Sequence, residues 1–356
     1  MRGIFQKIYA VMLILAAVAG AVLAFVLALG KGNAAVWCVV GLSLSLFLTP
    51  TLHECGHILF AKRQKMRVKY AKFACFQIVE REGKLRFSFA SPLRADETQT
   101  VPTVGGNMKK RALSYVSGGL VFGGAATILI ALLGGALQYF GSGVAFLFWG
   151  ALPVLAYSFF LNLPPFTYPS GKTDGAVYRG IKRGEDEETA MLSAMEIFGQ
   201  LAEGKCFAEI DEEHFRVPVL REDAPMYAIM HDLKYRRKLD EGDFDGAAEE
   251  INRLAVSEYL TDGERASVAA EILFMHALNR DLERAEASKA YCEEFLKSGT
   301  AASHRILTAY HLAKGENEQA SEHKKAFEKR VQFCLLGEAK FERGLMEKIC
   351  KGALFL

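Results

Sequence analysis

Residues 34–61 read AAVWCVVGLSLSLFLTPTLHECGHILFA. No charge interrupts the run from Gly32 to Leu52, and then His53, Glu54 and His57 fall within five positions. A membrane-spanning helix needs about 20 mostly apolar residues. This stretch exceeds that length, and Pro50 can kink it. Ionisable groups at membrane depth are expensive and usually functional. An apolar helix ending in two histidines and a carboxylate therefore predicts both a membrane protein and a site.

Other uncharged runs extend this pattern outward. Ile8–Gly30 is one, and Ala112–Gly171 is long enough for two helices broken near Gly141-Ser142-Gly143. Four spans follow, at about 8–30, 34–58, 114–137 and 144–164. The first could be a secretory signal, with Met1 to Lys7 as its basic region. Its apolar stretch exceeds the ~7–15 residues usual there, which favours an uncleaved helix. Residues 1–175 hold 17 Lys and Arg against 6 Asp and Glu, whereas residues 176–356 hold 26 against 35. The overall balance of +2 thus averages two different objects. Cytoplasmic loops of membrane proteins are rich in Lys and Arg. The 62–111 loop carries 13 of them, so it, the N-terminus and everything after residue 171 are expected on the cytoplasmic side of the cell membrane.

His53-Glu54-Cys55-Gly56-His57 is an H-E-x-x-H motif. On a helix, positions i and i+4 share a face, so two imidazoles can grip one Zn²⁺. Glu54 between them would take a proton from the attacking water during amide hydrolysis. The chain has eight histidines, yet none but these two precedes His214, and Glu54 is the first acidic residue of all. Gly56 allows close approach of a neighbouring helix or a peptide. A catalytic zinc usually takes three protein ligands. Asp174 is the best third candidate: it follows the fourth span, on the same expected side of the membrane, and is the first acidic residue after Glu97. The plainer alternative there is an Asp-Gly turn at a helix exit.

H-E-x-x-H on one apolar helix and an Asn162…Pro164-Pro165…Asp174-Gly175 element two spans later resemble the site-2 protease family of zinc intramembrane metalloproteases. The matching region is about 34–180. The resemblance implies a core made of the second, third and fourth spans. It implies zinc ligands His53, His57 and Asp174, with Glu54 as general base, and a membrane-spanning or membrane-proximal peptide as substrate. Asn162 matches the family's Asn, which would contact a substrate carbonyl or brace the helix. The gap from Pro165 to Asp174 is longer than the family pattern.

The 62–111 loop contains a predicted β-hairpin. Leu85, Phe87 and Phe89 alternate with Lys84, Arg86 and Ser88, with Ala74, Phe76 and Ile78 as partner face and Glu82-Gly83 as turn. It is either a surface ribbon or an edge that pairs with an extended substrate, and a hairpin after the H-E-x-x-H helix is also seen in the family. Ser117-Gly118-Gly119 and Gly123 form a small-residue face, read as tight helix packing.

After about residue 186 the pattern is soluble and helical. Leu239-Asp-Glu-Gly242-Asp243-Phe244-Asp-Gly-Ala247, Leu278-Asn-Arg-Asp281-Leu282-Glu-Arg-Ala285 and Leu312-Ala-Lys-Gly315-Glu-Asn-Glu-Gln-Ala320 look alike. Their aligned alanines are 38 and 35 residues apart, close to the 34-residue tetratricopeptide period. The segments resemble such repeats degenerately; the alternative is a plain bundle. A short solenoid would offer a groove for a substrate, adaptor or inhibitor protein. His304, His311 and His323 read as scattered surface residues.

The expected fold is thus an all-α, multi-pass membrane core of about four spans with a small cytoplasmic β-hairpin over 1–185, then a soluble α-helical solenoid over 186–356. The expected activity is that of an intramembrane zinc metalloprotease. Two alternatives stay open: a non-catalytic membrane scaffold, and a zincin of another lineage whose third ligand is a Glu of the second domain. Nucleic acid is not an expected partner, since the charge is balanced overall. No G-x-G-x-x-G, P-loop or cysteine cluster points to nucleotide or electron-transfer chemistry.

Overall fold

The computed structural model describes residues 2–81, 84–91, 97–102, 106–168, 171–216 and 218–354. Its contacts divide the chain into two compact units, Met1–Val101 with Gly106–Glu185, and Pro102–Gly105 with Asp186–Leu356.

The first unit holds four helices, α1 (Arg2–Ala28), α2 (Ala34–Arg63), α3 (Met108–Tyr139) and α4 (Ala145–Asn162). All four are long and apolar enough to cross a membrane. Their apolar side chains point outward over much of their length: Leu15 is 62% exposed, Val36 62%, Ile128 63% and Leu132 66%. In water that arrangement would be unfavourable; hydrocarbon removes the penalty. Packing between the helices rests instead on small residues. Cys38, Ala34, Ala24 and Ala28 meet Phe146 where α1, α2 and α4 converge. Gly56 of α2 lies against the backbone of Gly118 on α3, leaving no room for a Cβ on either. The H-E-x-x-H residues fall inside α2, which runs unbroken past Pro50 to Arg63.

Between α2 and α3 the chain forms β1 (Met66–Phe73), β2 (Phe76–Arg81), β3 (Lys84–Phe89) and β4 (Glu97–Pro102). The sheet order is β3-β2-β1-β4, with β2 antiparallel to both β1 and β3. The expected hairpin is therefore the outer half of a four-stranded sheet. Its register pairs Phe76 with Phe89, Ile78 with Phe87 and Glu80 with Leu85. Ala74 is not part of the partner face: it sits in the turn between β1 and β2 with a positive φ of 52°. Met66, Val68 and Tyr70 alternate with Arg67 and Lys69 in a further period-two signal, which buries Met66 and Val68 against the helical core. The turn at Glu82-Gly83 lies outside the described residues. β3 is an edge strand and is exposed throughout.

After α4 come a two-stranded ribbon, β5 (Thr167–Tyr168) and β6 (Gly171–Lys172), and α5 (Asp174–Arg183). Thr173 caps α5: its hydroxyl accepts the Ala176 N–H at 3.2 Å and donates to the Pro164 carbonyl at 2.6 Å. The added residues between Pro165 and Asp174 thus fold back on themselves and return the chain to the end of α4.

The second unit is helical: α6 (Asp186–Ala202), α7 (Pro225–Glu241), α8 (Phe244–Ala255), α9 (Asp262–Leu278), α10 (Leu282–Lys289), α11 (Glu293–Lys297), α12 (Ala301–Ala313), α13 (Asn317–Val331) and α14 (Leu336–Cys350), with two short 3₁₀ turns at Phe207–Glu209 and Glu212–Phe215. The three look-alike segments are the α7–α8, α9–α10 and α12–α13 junctions. Each places a left-handed residue, Gly242, Arg280 or Gly315, five positions before the aligned alanine. Those alanines, Ala247, Ala285 and Ala320, are all buried. The repeated pattern is thus turn chemistry followed by a small core residue.

A buried ionic network ties four of these helices together. Arg305 on α12 meets Glu271 on α9 at 2.7 Å and Glu342 on α14 at 2.8 Å, each side chain 3% exposed or less. Tyr235 on α7 donates to Glu271 at 2.8 Å, and the guanidinium stacks over Phe274 at 4.3 Å. Removing one partner of such a network strands the others without solvent. Arg305→Ala is expected to destabilise this unit by about 3–5 kcal/mol, read as a lower midpoint in urea unfolding followed by far-UV circular dichroism. An unchanged midpoint would contradict the assignment.

Candidate metal centre

Helix periodicity sets His53 and His57 one turn apart on α2, and their Nε2 atoms lie 3.3 Å from each other. Asp174, the first residue of α5, completes the group. Its Oδ2 is 3.1 Å from His53 Nε2 and 3.3 Å from His57 Nε2. This oxygen is buried and makes no hydrogen bond of acceptable geometry, although both imidazoles are within ion-pair distance. Three potential ligand atoms, two imidazole nitrogens and a carboxylate oxygen, thus lie within 3.3 Å of one another. A tetrahedral ion with bonds of ~2.0–2.1 Å needs its ligands about 3.3 Å apart, which is the spacing found. The residues fit zinc. The Glu54 carboxylate belongs to the same cluster, with its ligand atom within 4.8 Å of those of both histidines.

The surroundings orient each member. His57 Nδ1 lies 2.9 Å from the Tyr115 carbonyl, so Nδ1–H donates there and Nε2 is left as the ligand atom. Glu54 is buried and accepts a hydrogen bond from the Thr98 hydroxyl on β4. Tyr115 in turn donates its hydroxyl to the Thr98 carbonyl. Gly119 lies beneath the histidines: a Cβ built there would come within 2.5 Å of His57 Nε2 and 2.6 Å of His53 Cε1. Burial pushes the Asp174 carboxyl up, but the facing His53 and His57 imidazoles outweigh it and hold it at about 2.

His53, Glu54, His57 and Asp174 are therefore brought together although the first and last are 121 positions apart in the chain, all within the first unit. Asp174-Gly175 does not form an exit turn; it opens α5. Gly175 is needed because a Cβ there would strike the Leu163 carbonyl at the end of α4. Asn162 has its amide nitrogen on the Ser158 carbonyl at 3.1 Å, which braces the last turn of α4. Thr98, Tyr115 and Gly119 were not legible as site residues. Thr98 and Tyr115 belong to no motif, and Gly119 is indistinguishable in sequence from the packing glycines beside it. Beside His53, a space of only about 10 Å³ opens between α2, α3 and α4, lined by Thr49, Leu52, Gly123, Ala126, Leu155 and Ser158. It has room for about one water.

Comparison with family models, with curated proteins and with solved structures returned no match.

Proposed function

We propose that this chain is an intramembrane zinc metalloprotease of the site-2 protease type, hydrolysing a peptide bond in or near a membrane-spanning segment of another protein. The observation that carries the reading is the Nε2, Nε2, Oδ2 triangle of His53, His57 and Asp174, with sides of 3.1–3.3 Å, and the Glu54 carboxylate in the same cluster. Those three residues would hold Zn²⁺. A bound zinc supplies Lewis acidity to the scissile carbonyl and acidifies water. Glu54, buried and steadied by Thr98, takes the proton of the attacking water and returns it to the departing amide nitrogen. Asp174 and the oriented His57 keep the ligand set rigid, and Gly119 leaves space for it.

Four apolar helices, and basic residues concentrated in 62–111, support a multi-pass protein of the cell membrane with the N-terminus and second unit cytoplasmic. The substrate must unwind, because a helical amide is shielded by its own hydrogen bonds. The exposed edge strand β3 is suited to hold it extended. The three equivalent helical junctions of the second unit support a tetratricopeptide-like solenoid that recruits a substrate, adaptor or inhibitor protein.

The test is zinc per chain in detergent-purified protein. Wild type is expected to hold about one zinc, and Asp174→Ala and His57→Ala far less, as for loss of one of three ligands. Zinc retained in Asp174→Ala would move the third ligand elsewhere, and its absence from wild type would favour the scaffold alternative.

A further inference from the structure

Three of the chain's eight histidines, read from sequence as scattered, converge in the second unit. His304 on α12 and His323 on α13 bring their Nδ1 atoms to 3.2 Å. His311, two turns beyond His304 on α12, stacks on His323, with ring centroids 5.3 Å apart and planes 10° from parallel. We propose that His304 and His323 form a second metal-binding site, for a divalent transition ion of zinc class, that clips α12 to α13. The proposal is independent of the protease reading and shares no residue with it.

The separation is the one that two ligands of a tetrahedral ion require, about 3.3 Å. Without a metal the same contact needs one ring to donate from Nδ1 and the other to accept there, so the two rings must hold opposite tautomers. Both rings are half-buried among other side chains. His311 has a different role. Its Nδ1 is 2.6 Å from Glu316 Oε2, which fixes that ring and lets it back the face of His323. Imidazole donors suit Zn²⁺, Ni²⁺ and Cu²⁺, and the two protein ligands leave the remaining positions to water.

Zn²⁺ titration by calorimetry tests this on the full-length chain in detergent, carrying His53→Ala and His57→Ala so that the first centre is silent. One equivalent of Zn²⁺ is expected to bind. His304→Asn and His323→Asn, each added singly, are each expected to weaken it at least about tenfold, the loss seen when even an outer partner of a metal site is removed. Circular dichroism checks that both variants keep their helices, and His311→Asn, which removes no ligand but loosens the ring packed on His323, is expected to weaken binding less than either ligand variant does. No Zn²⁺ binding in the background protein would overturn the site, as would a loss below tenfold in either His304→Asn or His323→Asn. In those cases the two rings share a proton and nothing more.

Discussion

Glu54→Gln is expected to keep about one zinc per chain and to lose cleavage of a co-expressed membrane substrate by about 10²–10⁴-fold, the usual worth of a positioned general base. The substitution is chosen to separate chemistry from structure. Glu54 is not one of the three atoms that converge at 3.1–3.3 Å, so metal retention should be unaffected. Gln has the same length and keeps an oxygen to accept from the Thr98 hydroxyl. What it cannot do is take a proton. Cleavage at the wild-type rate would exclude Glu54 as the base and with it the proposed mechanism. Loss of zinc together with cleavage would show instead that Glu54 is structural.

The second large effect is expected at a residue without a functional group. Gly119→Ala should abolish zinc binding, whereas Gly123→Ala, one turn later on the same helix, should retain about one zinc. A Cβ at 119 would lie 2.5 Å from His57 Nε2, 2.6 Å from His53 Cε1 and 2.8 Å from His53 Nε2, distances that force both imidazoles off their positions. A Cβ at 123 would meet only the edge of Phe159, at 3.9 Å, which is ordinary contact. Neither glycine has a positive φ, so backbone strain does not confuse the comparison. Metal analysis of the two proteins after identical purification provides the measurement. Equal zinc in both would mean that α3 does not approach the histidines as described.

Glu54, His53 and His57 are legible because they stand at the fixed H-E-x-x-H spacing, and a helix of 3.6 residues per turn converts that spacing into one face. The four apolar helices are legible for a similar reason: a membrane imposes a length and excludes charge. The repeated turns of the second unit show through their alanines, since a small side chain is required wherever one helix doubles back on another. All these constraints are local, so composition and periodicity carry them.

What needed the tertiary structure is everything that joins distant residues. Asp174 reaches the histidines only because the Thr167–Lys172 ribbon takes up the added length and Thr173 starts α5 at the right place. The Gly118-Gly119 pair reads as one packing motif, yet Gly118 meets the backbone of Gly56 while Gly119 makes room for the imidazoles. Only the rotation of α3 against α2 divides those roles. Thr98 becomes a partner of Glu54 because β4 joins the sheet beside β1, and the sequence around it has no period that reports a partner 44 residues away. His304, His311 and His323 look scattered because their meeting depends on the α12–α13 turn and on which face each helix turns inward. Local sequence encodes spacing along one element; the choice of which elements touch, and at what rotation, is made by packing many weak contacts at once.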